Sequence, residues 1–112
     1  VRMGYRQVWA VFQPHTYSRT YNLLDDFAKA LSIPHHVVMT EILAVRETNT
    51  YNIHTSDLAA KIPGSVWFDS FDKIADYVME HAQPGDLILT LGGGDIYKCA
   101  NLLVEKYQAR QA

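Results

Sequence analysis

The chain has 112 residues, 48% of them apolar and 20% charged, with a formal net charge of −2 and a pI near 6.2. That length and balance fit one globular domain and exclude a disordered or strongly basic chain, so neither nucleic acid nor an anionic membrane is an expected partner. The single cysteine, Cys99, excludes an internal disulfide and suits a reducing, cytoplasmic setting. No apolar run approaches the roughly 18 residues of a membrane span.

The opening "VRMGYRQ" lacks the apolar core of a signal peptide, and a start at Val1 reads as an excised domain. "VWAVF", Val8 to Phe12, is the first expected strand, followed by the connection "QPHTYS". Tyr21, Leu24, Ala28 and Leu31 recur at helical spacing. A second strand is expected over Val37 to Met39, then the long connection "TEILAVRETNTYNIHT" and a short helix over Asp57 to Ile62, capped by Thr55 or Ser56. Val66 to Phe68 is the third strand, and Phe71, Ile74, Ala75, Val78 and Ala82 mark the helix after it. "LILTL", Leu87 to Leu91, is apolar enough to predict a strand buried on both faces. After "GGGD" come Ile96, Cys99, Ala100, Leu103 and Tyr107, a third helical stripe.

This alternation predicts a single three-layer α/β/α domain of Rossmann-like type, with a mainly parallel sheet of at least four strands and right-handed crossovers. Pro34, Pro63 and Pro84 all fall in helix-to-strand connections and stop the preceding helix. The strand-to-helix connections hold the chemically active side chains. In open parallel sheets these lie on one edge, where ligands bind, so they are expected to converge.

Each candidate has a bland and a sharp reading. His15 and Arg19, four apart at a helix start, form a clamp for a carboxylate or phosphate, or else Thr16 or Ser18 simply caps the helix. "LGGGDIY" allows close backbone approach to a ligand through Gly92, Gly93 and Gly94, or is a turn with Asp95 as N-cap. It is neither a dinucleotide fingerprint nor a phosphate-binding P-loop. Arg46 and Glu47 sit in the longest loop, as functional groups or as a solvated ion pair. His35, His36, His54 and His81 lack metal spacing, so no metal site is expected. Gln13 and Pro14 stand where a receiver module would carry paired acids, which argues against that class.

"VFQPHTYSRT" together with "LTLGGGDIY" resembles the C-terminal domain of the Mur ligases, and "LLDDFAKAL", "EILAVRE" and "DLAAKI" extend the likeness over nearly the whole chain. The resemblance is to the branch that joins L-alanine to UDP-N-acetylmuramic acid. The related murein-peptide recycling branch carries Pro-Arg-Ser where this chain has Pro14-His15-Thr16. It implies an ATP- and Mg2+-dependent amide ligase of peptidoglycan precursor synthesis. In such an enzyme, ATP converts the lactyl carboxylate to an acyl phosphate, and the amine of L-alanine displaces the phosphate.

The same resemblance makes residues 1–112 the domain that closes over the amino acid and nucleotide, with a UDP-sugar domain and a central ATPase domain in cis. It places His15 and Arg19, with Thr16 between them, on the L-alanine carboxylate. Arg46, Glu47, Gly92, Gly93, Gly94 and Asp95 fall on loops around the cleft. Thr16 replaces an arginine common in the family, leaving Arg19 as the one guanidinium of the motif, and Gly93 replaces a common alanine. The P-loop and the family's Asp-Tyr-x-His-His-Pro segment are not in this sequence. Neither ATP nor Mg2+ is therefore expected to bind the chain alone, and the sheet is expected to have an exposed edge. The alternatives are the C-terminal domain of the related murein-peptide recycling ligase and a stand-alone small-molecule binding α/β module.

Overall fold

A computed structural model describes residues 6–92 and 96–111. Four strands, β1 (Val8–Phe12), β2 (His36–Met39), β3 (Val66–Trp67) and β4 (Leu87–Leu91), form an all-parallel sheet in the order β3-β2-β1-β4. The first connection holds two short helices, α1 (Tyr17–Asn22) and α2 (Leu24–Ala30). The others hold α3 (Thr55–Ala59) and α4 (Phe71–His81), and α5 (Ile96–Gln111) follows the last strand.

Alternation along the strands splits the core in two. Trp9, Val11 and Val38 face Ile74 and Val78 of α4 and Cys99 and Leu103 of α5. Ala10, Phe12, Val37 and Met39 face Leu31, Leu58 and Ile62 on the side of α2 and α3. Helices thus cover both faces, as the alternating pattern predicts. Cys99 is fully buried, and burial, with Asp72 nearby, pushes its thiol up to about 11. It is a core side chain rather than a reactive one.

Three expectations change. β1, not β4, is the fully buried strand. β4 borders the sheet, and α2 and α3 pack over β1 and β2, so Leu89 and Leu91 remain 40% and 39% exposed. The first helix breaks at Leu23 (φ −112°), and Tyr21 turns outward to stack on Tyr51, with ring centroids 5.0 Å apart. The short helix begins at Thr55 rather than Asp57, with His54 as its cap residue. The His54 N–H donates to Asp57 Oδ2 at 2.8 Å. Thr55 does not cap: its hydroxyl is buried and donates to the Thr40 carbonyl at 2.8 Å, tying α3 to the end of β2.

At the amino ends of the strands, Asp86 gathers several donors. Arg6 donates to its two oxygens at 2.8 and 3.0 Å, Trp9 Nε1 donates at 3.0 Å and the Gln83 N–H at 2.9 Å. Burial alone would raise the Asp86 carboxyl, but the Gln83, Arg6 and Trp9 donors outweigh it and hold the group down at about 2. His36 stacks on Trp9 at 4.2 Å, and burial lowers its imidazole from the ordinary value, with Asp86 opposing.

Candidate functional site

At the carboxyl ends the ladder does not stop with the strands. The Gln13 N–H donates to the Leu91 carbonyl at 3.1 Å, and the Thr40 N–H to the Phe12 carbonyl at 3.1 Å. The chain after β2 then runs parallel to the chain after β1 through a bridge between His15 and Leu43. Its bonds are Leu43 N–H to Pro14 O and Thr16 N–H to Leu43 O, both 2.8 Å. Further along, Glu47 accepts from the Ser18 N–H at 2.9 Å and from the Ser18 hydroxyl at 2.5 Å. The Ser18 hydroxyl and N–H together hold the Glu47 carboxyl below the usual carboxylate range. The two loops therefore form one unit around the start of α1.

Thr16 is the N-cap of α1 and accepts from the Arg19 N–H at 3.3 Å. Its φ of 62° places a β-branched residue in a region that disfavours it, a strain of about 1–3 kcal/mol. The three non-glycine residues with positive φ among those described, Thr16, Val45 and Asn52, all lie in these two loops. The first N–H groups of α1 are occupied: Ser18 by Glu47, Arg19 by the Thr16 hydroxyl and Thr20 by the Thr16 carbonyl. The capping reading of Thr16 therefore holds, and these three N–H groups are not left for an anion.

The side chains beside this turn border a cleft. Phe12, Gln13, His15, Arg19, Leu23, Phe27 and Gly92 line a space of about 340 Å3. Arg19 is exposed, and among the described residues its guanidinium has neither ion pair nor hydrogen bond. Gln13 Oε1 and His15 Nδ1 are buried with no hydrogen-bond partner among the described residues. Gly92 has φ +134°, and a Cβ there would sit 2.7 Å from the Gln13 carbonyl oxygen, so the close approach requires glycine.

Of the residues singled out in the sequence, His15, Arg19 and Gly92 meet in this cleft. Thr16 acts as the cap, Glu47 is turned to Ser18, and Arg46 is exposed on its loop, outside the lining. Gly93, Gly94 and Asp95 lie outside the described residues. Sequence reasoning passed over Gln13, whose place between the last strand residue and Pro14 was the available signal. A roomier crevice of about 440 Å3 lies at the opposite edge, but Asp86, the acidic group lining it, is already paired. Among the described residues no group of three or more His, Cys, Asp or Glu could hold a metal ion, and no helix is long and apolar enough to cross a membrane.

A parallel sheet with helices on both faces and a cleft outside its carboxyl ends is the arrangement in which open α/β domains bind ligands. The chain is 42% identical to the UDP-N-acetylmuramate–L-alanine ligase of Acetivibrio thermocellus over 109 residues, covering 94% of this chain and 23% of that protein. It is 45% identical to that of Lachnospira eligens over 105 residues (90% and 23%), and 38% identical to that of Caldicellulosiruptor saccharolyticus over 109 residues (94% and 24%). No family model matches the chain. Over nearly its whole length it is thus similar to part of enzymes named UDP-N-acetylmuramate–L-alanine ligase, in line with the resemblance carried by the proline–histidine motif and glycine run. It spans about a quarter of the length of the curated relatives it matches.

Proposed function

We propose that this chain is the C-terminal, amino acid-binding domain of a cytoplasmic, three-domain ligase that joins L-alanine to UDP-N-acetylmuramic acid in peptidoglycan precursor synthesis. The observation that carries this reading is one cleft, at the carboxyl ends of the strands, holding an unpaired Arg19 beside His15 and Gly92, in a chain related to ligases of that name. Arg19 supplies a planar, permanently charged fork for the L-alanine carboxylate, His15 a second polar group, and Phe12, Leu23 and Phe27 the apolar walls.

ATP would supply the activation, forming an acyl phosphate on the lactyl carboxylate that the amine then displaces. The described residues offer no ligand set for Mg2+, so the reading assigns the metal, ATP and most of the UDP-sugar contacts to the rest of the polypeptide. This chain's own part is to hold the amino acid by its carboxylate and present its amine for attack.

The test is steady-state kinetics of the complete ligase. A charge-assisted bidentate contact is worth roughly 1.5–3 kcal/mol. Arg19→Ala should therefore raise KM for L-alanine about 10- to 100-fold, with Arg19→Lys in between, and leave saturation by UDP-N-acetylmuramic acid unchanged. Unaltered L-alanine kinetics in Arg19→Ala would return the motif to a capped turn.

A further inference from the structure

We infer that Gln13 reads the other end of the same ligand: its side-chain carbonyl takes an N–H of the amino acid's amino group while Arg19 holds the carboxylate. The inference rests on the amino acid reading of the cleft and adds a residue to it.

Gln13 is 7% exposed and lines the cleft, yet among the described residues its Oε1 has no donor. A buried acceptor left unpaired is costly and rare enough to require a reason. The rest of the residue is fixed. Its N–H is bonded to Leu91, and its carbonyl lies beneath Gly92, where no Cβ could fit. The amide itself is loosely held, because Nε2 reaches the Glu41 carbonyl only at 3.5 Å, the limit of a hydrogen bond. The terminal torsion of glutamine is soft. A turn of the amide therefore brings Oε1, now out of solvent contact, to the cleft with little lost.

The chemistry of the lining selects the donor. Phe12, Leu23 and Phe27 offer none, and Arg19 is a cation better matched to an anion. Among the described lining residues there is no carboxylate, and the orphaned acceptor there, Gln13 Oε1, is neutral. A cation at one end and a neutral acceptor at the other fit a small amino acid. Neutrality also suits an amine that must attack. A carboxylate beside it would hold it protonated, whereas an amide carbonyl orients an N–H and still lets the proton leave.

The experiment uses the complete ligase, with L-alanine as substrate and propionate, which has the carboxylate but no amine, as competitive inhibitor. Gln13→Met keeps the side chain's size and removes the acceptor. We expect its KM for L-alanine to rise about 10- to 100-fold, with propionate inhibition unchanged. Gln13→Glu keeps an acceptor, so KM should stay near wild type, while kcat falls and the pH optimum moves up because the added charge retains the proton. Arg19→Ala should weaken both ligands. A Gln13→Met enzyme with normal KM, or one that loses L-alanine and propionate equally, overturns the inference. If Arg19→Ala binds both normally, the amino acid reading itself has failed. Should Gln13→Met not fold, the Gln13→Glu split between KM and kcat decides, and a normal kcat and pH optimum there also overturns it.

Discussion

The two edges of the sheet are built from similar polar residues and use them in opposite ways. At the amino edge Arg6, Trp9 and Gln83 all donate to Asp86, whose side chain is 1% exposed, and the carboxyl sits at about 2. At the carboxyl edge, among the described residues, Arg19 is unpaired and Gln13 Oε1 and His15 Nδ1 are orphaned, and the backbone is strained at Thr16. One edge satisfies its polar groups within the fold. The other leaves them without partners among the described residues, and the proposed binding end rests on that asymmetry more than on cleft size.

The largest expected effect comes from breaking the satisfied edge. Asp86→Ala strands three donors together and should lower Tm by roughly 10 °C. The same variant in the complete ligase should leave the L-alanine KM within about twofold of wild type. Differential scanning and kinetics on one preparation check both halves.

Gly92→Ala attacks the other edge through the backbone. Its Cβ would meet the Gln13 carbonyl oxygen at 2.7 Å, at a φ of +134°. We expect a loss of about 1–3 kcal/mol, measured by urea unfolding. Unlike Asp86→Ala, it should also weaken L-alanine.

Acid separates the edges more gently. His36 is lowered in the folded state from 6.5, so below that value the unfolded chain takes a proton that the folded chain resists, and stability falls as pH drops. Asp86 is lowered from 3.8 to about 2, so its contribution is complete above 3.8 and is lost as pH falls towards 2. Melting across about pH 8 to 2 should show both losses. His36→Gln should flatten the first and Asp86→Asn most of the second, while Arg19→Ala should change neither.

The smallest effect expected is at the strap between the loops. Glu47→Gln weakens the contact with Ser18 and should lower Tm by about 2 °C. Ser18→Ala combined with it should add little, because both remove one interaction. A fully additive double variant would mean that the two residues act separately.

Much of this was legible in the sequence where the physics is local. Strand and helix periodicity, and prolines stopping helices, gave the layers, and the edge rule for parallel sheets brought His15, Arg19 and Gly92 together. What escaped depends on partners distant in sequence. Ser18 and Glu47 are 29 positions apart, and neither composition nor spacing marks them as a pair. The exposure of "LILTL" follows from strand order, which periodicity does not contain: the same apolar run is a core strand in the middle of a sheet and a half-covered one at its border. Thr55 looked like a cap because its bond to Thr40 spans 15 positions. Gln13 looked inert because an orphaned atom is visible only once every neighbour is placed.

The buried central strand sets a clock for the molecule. Every residue of β1 is buried, and β2 and β4 flank it on both sides. Deuterium reaches the amides of Ala10 and Val11 only when the whole sheet opens, so their uptake counts global openings. Residues 44–52, with largely exposed backbone and few internal bonds, take it up early. Between those limits, the amide of Ser18, which donates to Glu47, reports how often the strap releases. Slower exchange there when L-alanine is added to the complete ligase would time the closing of the cleft directly.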